Sequence, residues 1–156
     1  MKELWIGFAG SRFKYFHNVE KGIILVKKLV KEILLKEKNQ NKDKELIIFH
    51  GGNFKSVDKI VDMVAKQLGL EVLIIEPSEW YRKDLAKRTT ILASIVDKMY
   101  CIFVDTISRG TYLAFSIAVE KGKETYAYYV DTRKGIVREI SREEVETMRK
   151  RNMKNV

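Results

Sequence analysis

Three short segments of the sequence each combine glycine with a hydroxyl group and a cationic side chain, the mixture expected of loops that bind phosphate. They are residues 7–12 (GFAGSR), 50–56 (HGGNFKS) and 105–111 (DTISRGT). Glycine lets the backbone approach a ligand closely, amides at a helix start point toward an anion, and serine, threonine or arginine completes the shell. One such segment is often an ordinary turn. Three at one sheet edge predict main-chain amides that converge on a shared anion.

The predicted ligand-binding residues of these segments are glycines, hydroxyl-bearing residues and one arginine: Gly10, Ser11, Arg12, Gly51, Gly52, Ser56, Gly110 and Thr111. Arg12 directly follows a Gly-Ser pair, a position that suits an anion better than a core. A surface ion pair is the alternative role for Arg12.

Several other kinds of site are disfavoured by spacing. The first segment is not GxGxxG, no acidic residue follows at the dinucleotide spacing, and GxxxxGK[ST] is absent. His17 and His50 are the two histidines and HExxH is missing, so no metal site is predicted. Cys101 lies among apolar residues and is predicted to be inert. No Ser-His-acid set can be assembled from the sequence.

The elements that must position these segments follow from hydrophobic periodicity. Apolar runs bounded by turn residues predict five strands: residues 4–9, 46–50, 71–76, 99–104 and 125–130. Apolar residues at helical spacing predict four helices: a long one around residues 26–34, then 57–68, 83–96 and 111–121. The alternation predicts an α/β fold, a Rossmann-like doubly wound parallel sheet of five strands in the order 3-2-1-4-5 with helices on both faces. Ligands bind beyond the carboxyl ends of such strands, where the three segments lie.

The chain divides by composition into two predicted parts. Residues 1–132 are predicted to form the ligand-binding domain, and residues 133–156 a basic extension with eight Lys or Arg and four Glu. Ser141 with Glu144 matches a capping box, and Ile140 with Val145 matches a hydrophobic staple. These pairs predict a short C-terminal helix.

Overall composition narrows the class of protein and of partner. The 156 residues suit one domain. A net charge of +9 favours anionic partners, whether nucleic acid, a phosphorylated small molecule or an anionic membrane surface. A single cysteine excludes an internal disulfide framework and predicts a reducing, cytoplasmic location. No segment has the roughly 18 apolar residues of a membrane span and the N-terminus lacks a signal-peptide pattern, so neither a membrane span nor export is predicted, and a membrane is not among the predicted partners.

Short motifs spread over residues 4–122 resemble the SLOG superfamily, the Rossmann-like group that includes the SMF/DprA and LOG proteins. Their order and spacing are most similar to its small stand-alone YspA-like branch. The motif residues are Gly10-Ser11-Arg12, Gly51-Gly52, Ser56-Val57-Asp58, Pro77 with Trp80, Arg88, Asp97 and Gly110-Thr111.

The resemblance implies a pocket for a nucleotide or nucleotide-derived ligand, with Arg88 added to the ligand-binding residues. The protein would act as a sensor, carrier or scavenger of that phosphorylated molecule, and no resident cofactor is predicted. LOG enzymes, which are similar in fold, cleave the N-glycosidic bond of cytokinin nucleotides with a glutamate whose position holds Ala114 here. Asp105 is then the fallback carboxylate for an N-glycosidic hydrolase of nucleoside monophosphates.

The resemblance also leaves a nucleic-acid alternative. DprA binds single-stranded DNA through a similar domain, and the basic extension with the lysine-rich first helix offers charge for a phosphate backbone. SLOG proteins often associate, and the apolar fourth helix with Tyr126, Tyr128 and Tyr129 predicts a homodimer.

The sequence leaves two roles open for each of three sets of residues. Arg88 either contacts the ligand or pairs with Asp84, four positions earlier in the same helix. Asp58 either serves the site or complements a helix dipole. Trp80 and Tyr81 either stack on a base or pack in a core or interface.

Overall fold

The computed structural model describes residues 2–154. The strands are β1 (Lys2–Gly10), β2 (Lys44–His50), β3 (Glu71–Ile74), β4 (Lys98–Val104), β5 (Glu124–Asp131) and β6 (Ile136–Ile140). The helices are α1 (Val19–Gln40), α2 (Val57–Gln67), α3 (Arg82–Ile95), α4 (Arg109–Glu120) and α5 (Arg142–Lys154), with a 3-10 turn at Phe13–Tyr15. None of the helices in this part of the chain combines the length and apolar content of a membrane span.

The six strands form one sheet in the order β3-β2-β1-β4-β5-β6. Strands β1 to β5 are parallel and β6 is antiparallel to β5. The predicted order 3-2-1-4-5 is confirmed, but the predicted total of five strands is wrong. β6 escaped sequence analysis because Ile140 is its one fully buried residue, while Arg138 and Glu139 are exposed.

Each face of the sheet carries an apolar core. On one face α1 and α2 cover residues such as Ile6, Phe8 and Ile48. On the other, α3, α4 and the start of α5 cover Ile47 and Phe49. Because successive side chains of a strand point to opposite faces, coverage on both sides explains the continuously apolar runs in the sequence.

The tyrosines of β5 lie within the sheet rather than along a free edge. Tyr126 and Tyr128 stack on Tyr100 at centroid distances of 4.9 and 6.4 Å. β6 pairs along the outer side of β5, so β5 is not the edge that a second copy would meet. The homodimer stays a prediction.

Side-chain caps define the helices that border the site. Ser56 Oγ accepts the Asp58 N–H at 3.1 Å at the start of α2. At the start of α5, the Ser141 N–H donates to Glu144 Oε1 and the Glu144 N–H donates to Ser141 Oγ. The predicted capping box of Ser141 and Glu144 is therefore confirmed, and Ser56 caps α2.

A buried carboxylate ties α1 to the amino end of the sheet. Glu37, 1% exposed, accepts hydrogen bonds from Lys98 Nζ at 2.9 Å and from the Tyr100 hydroxyl at 3.2 Å. Burial acts to lower the pKa of Lys98, but Glu37 and Glu124 outweigh it, so this pKa is raised. The network is structural, since it lies at the opposite end of β4 from the predicted site.

We expect Glu37→Ala to destabilise the fold by about 2 kcal/mol, because it leaves the buried Tyr100 phenol without its acceptor and the partly buried Lys98 ammonium with Glu124 as its remaining partner. Urea denaturation measures the loss. Glu32→Ala, at an exposed position of the same helix, is the control and should change stability by less than about 0.5 kcal/mol. Equal effects of the two substitutions would contradict a structural role for this network.

Candidate functional site

A cavity of about 560 Å³ opens at the carboxyl edge of the sheet, where β1, β2 and β4 end. The loops after these strands form its polar side, and α3 contributes a further wall. Seven of the residues predicted to bind a ligand line it: Gly10, Arg12, Gly51, Ser56, Arg88, Gly110 and Thr111. The structure therefore brings the three glycine-containing segments together around one space.

Backbone hydrogen bonds join the loop after β1 to the loop between β2 and α2. The Phe13 N–H donates to the Lys55 carbonyl at 2.9 Å, and the Val57 N–H donates to the Ser11 carbonyl at 3.1 Å. An added Cβ at Gly10 would lie 2.4 Å from Val57 Cβ, so Gly10 allows α2 to approach β1. These contacts hold Arg12 at the cavity.

Ser11 lies behind the cavity wall rather than in it. Its side chain is fully buried, and its Oγ accepts the Val104 N–H at 2.9 Å and lies 3.4 Å from Ser108 Oγ. Ser11 therefore joins the ends of β1 and β4 and does not line the cavity.

The amide of Gly52 is also used within the protein. It donates to His50 Nδ1 at 2.9 Å, which leaves the imidazole proton on Nε2, and Nε2 donates to Asp62 Oδ1 at 2.9 Å. Gly52 has a φ of 75°, a conformation that favours glycine. Gly52 thus supports the turn after β2 without lining the cavity.

Arg88 reaches from α3 to this turn. Its Nη1 donates to the Gly51 carbonyl, and a Cβ at Gly51 would overlap the guanidinium. Among residues 2–154, Arg88 Nε is buried without a hydrogen-bond partner, and no ion pair joins Arg88 to Asp84. The guanidinium therefore presents an unsatisfied donor inside a half-buried site, which is costly unless an acceptor arrives.

The cavity is strongly electropositive. Burial lowers the pKa of Arg88, Asp58 opposes this shift, and neighbouring Arg12 adds to it. Arg82 and Arg109 also line the space, whereas Asp58 is the one carboxylate among the described lining residues. Burial raises the pKa of Asp58, although Arg88 and a 3.1 Å hydrogen bond from the Asn53 N–H act against it.

The start of α4 supplies open main-chain donors. Ser108, at the N-cap, donates its hydroxyl to Thr111 Oγ1 at 3.0 Å and caps no amide. The first turn of a helix has no intrahelical acceptors for its N–H groups. Apart from the adjacent residues and the backbone of α4 itself, no atom of the described chain lies within 4 Å of the position that a Cβ would take at Gly110, so this turn is accessible. It has the geometry of an anion-binding helix start.

The amides do not converge from all three segments as the sequence analysis expected. The Ser11 N–H donates to the Ile102 carbonyl at 3.2 Å, and the Gly52 N–H is held by His50. The loop after β1 therefore contributes the Arg12 side chain and α3 contributes Arg88, whereas α4 contributes the amides. This division corrects the expectation of one shared main-chain cradle.

The basic C-terminal segment reaches the same edge of the molecule. The Tyr112 hydroxyl donates to Glu146 on α5, and the Arg149 guanidinium lies 4.3 Å from the centroid of the Tyr112 ring. Asn152 Nδ2 donates to Thr106 Oγ1 at 2.9 Å, in the loop between β4 and α4. The extension thus lies beside the segment that leads into the cavity.

Asp105 does not line the cavity. Its oxygens accept the Thr132 N–H at 2.9 Å, the Thr132 hydroxyl at 2.6 Å and the His17 N–H at 2.9 Å. Burial acts to raise the pKa of Asp105, but these hydrogen bonds outweigh it and hold the pKa below its ordinary value. Asp105 joins three segments after β1, β4 and β5, which is a structural role. Ala114 is fully buried and offers no carboxylate either.

Further lining residues were not predicted to bind a ligand: Tyr15, Asn53, Arg82, Leu85, Ser108 and Arg109. Asp58, for which the sequence left two roles open, also lines the cavity. Asn53, Ser108 and Arg109 lie inside the glycine-containing segments, so the composition of those segments could have indicated them. Arg82 and Leu85 come from α3, whose orientation toward the cavity has no local signal in the sequence. Within residues 2–154 no group of three or more His, Cys, Asp or Glu is placed to hold a metal ion.

Comparison with known proteins supports the fold. No family model matches the sequence, and no curated protein matches it significantly. The solved structure of the molybdenum cofactor carrier protein from Chlamydomonas reinhardtii is similar, with a TM-score of 0.59 and 17% identity over 81% of this chain and 76% of that chain. The likeness shows a shared α/β, broadly Rossmann-like fold, while the SLOG assignment stays a prediction.

We expect Asp105→Asn to cost about 2 kcal/mol of stability, because asparagine tolerates the φ of 61° but loses the charge that accepts these bonds. The lowered pKa means that the carboxylate stabilises the fold above about pH 4 and that this contribution disappears as the pH falls through the folded-state pKa. The difference between wild type and variant should therefore narrow in acid, as measured by urea denaturation across pH. The stability added by inorganic phosphate should be unchanged, and its loss would instead place Asp105 in the site.

Proposed function

We propose that the cavity binds a phosphorylated small molecule of the nucleotide class and that the protein carries, senses or scavenges it. The observation that carries this proposal is the buried Nε–H of Arg88, which has no acceptor among the described residues and lies beside Arg12. Among the described lining residues four arginines face a single carboxylate, Asp58, and this excess of guanidinium groups favours an anion that brings several acceptor oxygens. A phosphate group meets that requirement.

The start of α4 provides the complementary half of the phosphate site. Its first amides, the accessible surface at Gly110 and the nearby Arg109 side chain all favour a negative charge. A phosphate bound between α4 and Arg88 would therefore receive main-chain donors from one side and a guanidinium from the other.

The remaining walls suit the rest of such a ligand. Phe8, Leu85, Leu92 and Leu113 give the cavity an apolar side. Asp58 and Asn53 add polar groups that can pair with hydroxyl or N–H groups of a ring or sugar. The volume of about 560 Å³ lies within the range typical of small-molecule sites.

The structural neighbour favours carriage rather than catalysis. It is a molybdenum cofactor carrier protein. A small phosphorylated cofactor is therefore a candidate ligand alongside nucleotides. Both ligands share the anionic group on which the proposal depends.

The hydrolase alternative receives less support from the side chains. Asp105 is engaged by Thr132 and His17, and the buried Ala114 stands where the resemblance places a catalytic glutamate. Asp58 is the carboxylate that remains in the described cavity, and its oxygen accepts the Asn53 N–H. Release of free base from adenosine monophosphate would favour the hydrolase, and stable binding without turnover supports carriage.

We expect Gly110→Ala to weaken binding of adenosine monophosphate and of inorganic phosphate at least about tenfold, because the new methyl group occupies the space that an anion needs beside the amides. The unfolding free energy should stay the same or rise by up to about 1 kcal/mol, since alanine is the better helix former. Calorimetric titration and urea denaturation measure the two quantities. Unchanged phosphate affinity would contradict a site at the start of α4.

A charge variant tests the arginine side of the cavity. We expect Arg12→Gln to lower affinity for adenosine monophosphate about tenfold, because a charge-assisted contact with phosphate is lost. Lys31→Gln, on the exposed face of α1, removes the same unit of charge and should have little effect. Equal losses in both variants would mean that net charge, rather than a built site, attracts the nucleotide.

A further inference from the structure

The strongly exposed aromatic side chains of the described chain all lie at one edge of the molecule. They are Tyr15, Phe54, Trp80 and Tyr81, with 43%, 48%, 56% and 72% of their surfaces accessible. The other aromatic residues are buried or half-buried. Exposed aliphatic residues such as Ile24, Ile91 and Ile136 are instead spread over different elements. The aromatic clustering is therefore not a general property of the surface.

The four residues, here called the aromatic rim, belong to the loops that follow β1, β2 and β3. Tyr15 follows β1, Phe54 follows β2, and Trp80 with Tyr81 lies between β3 and α3. These strands are consecutive neighbours in the sheet, at the usual spacing of about 4.8 Å. The rim residues therefore lie in neighbouring loops at the same edge of the sheet as the cavity.

Each part of the rim is flanked by a cation. Lys14 precedes Tyr15, Lys55 follows Phe54 and Arg82 follows Tyr81 in the sequence. Lys14 Nζ lies 5.2 Å from the centroid of the Tyr15 ring. Alternating aromatic faces and positive charges are the combination that binds stacked bases joined by phosphates.

A ligand confined to the cavity does not explain this surface. Tyr15 lines the cavity, but Phe54, Trp80 and Tyr81 do not. Phe54 is fixed by an edge-to-face contact with His50, at 6.0 Å between centroids, which holds its ring in the loop after β2. The rim is thus positioned for a planar group that lies outside the cavity.

We infer that the aromatic rim is a second subsite that stacks nucleobases, so that the ligand has at least two bases joined by phosphate. The inference rests on the proposed function, because the cavity would hold one phosphorylated end of that ligand. Arg12 and Arg82 line the cavity, and Arg82 directly follows Tyr81 while Arg12 lies three residues before Tyr15, so both can contact the linking phosphate. The ligand chemistry is that of a dinucleotide or of a short single-stranded nucleic acid.

Three probes separate the two subsites: adenosine monophosphate, the adenylate dinucleotide and a longer single-stranded oligoadenylate. The test variant combines Trp80→Leu with Tyr81→Leu, which removes two rings from exposed positions and should leave the melting temperature unchanged. Trp80→Phe with Tyr81→Phe keeps the rings. Ile91→Ala removes a comparably exposed apolar side chain from α3 and serves as the control.

We expect the dinucleotide to bind the wild type about tenfold tighter than the monophosphate, because an additional base stacks on an aromatic ring. The leucine variant should lose this gain, while the phenylalanine variant and Ile91→Ala keep it. Monophosphate affinity should be the same in all four proteins. In a Trp5→Phe background Trp80 is the sole tryptophan, and its fluorescence should be quenched by the dinucleotide but not by the monophosphate.

The dependence of affinity on probe length distinguishes a small diffusible ligand from a nucleic-acid strand. Affinity that levels off at the dinucleotide indicates a small diffusible ligand, whereas affinity that rises further with the oligoadenylate indicates a nucleic-acid strand. The inference is overturned when the leucine variant binds both longer probes as tightly as wild type, or when neither longer probe exceeds the monophosphate. Failure of the proposed function has a different signature, namely monophosphate binding that Gly110→Ala does not weaken.

Discussion

The unsatisfied guanidinium of Arg88 is the constraint around which the site is organised. The side chain crosses from α3 to the Gly51 carbonyl, beside Arg12, with its Nε buried and without an acceptor in the described chain. Burying a charged donor next to another cation is unfavourable, and Asp58 offsets this cost only in part, since the pKa of Arg88 is still lowered. The glycine at position 51, whose Cβ would collide with Arg88, shows that the backbone makes room for this arrangement. An anion in the cavity would supply the compensation that Asp58 leaves incomplete.

The sheet topology brings the remaining groups to the same place. β1 pairs with both β2 and β4, so the order of the strands proceeds in opposite directions on its two sides. Such a switch point opens a crevice beyond the carboxyl ends of the strands. Polar side chains behind the crevice hold its edges: Ser11 joins β1 to β4, and His50 with Asp62 holds the turn after β2. Asp105 joins the loops after β4 and β5. The groups facing the cavity are therefore positioned by hydrogen bonds of side chains that do not themselves line it.

Local pattern predicted most of the fold and part of the site. Buried parallel strands and amphipathic helices place apolar residues in patterns that can be recognised in a single sequence. Glycine with hydroxyl and cationic neighbours likewise marked the three loops. β6 was missed because an exposed edge strand lacks such a pattern, with charged residues at Arg138 and Glu139. Sequence likewise did not separate Ser11 and Gly52, whose polar groups bond within the protein, from Arg12 and Gly110, which border the cavity. Which hydrogen bonds are already made is a tertiary property, so it needs coordinates.

The most direct measurement follows the Nε–H of Arg88 by nitrogen-15 NMR while adenosine or adenosine monophosphate is added. Adenosine monophosphate should shift this resonance downfield and protect it from exchange, because the phosphate supplies the missing acceptor, and Arg88→Gln identifies the signal by its absence. Adenosine, which lacks the phosphate, should leave the resonance in place. A bound monophosphate that left the Arg88 Nε–H unchanged would contradict the proposal that this guanidinium binds phosphate.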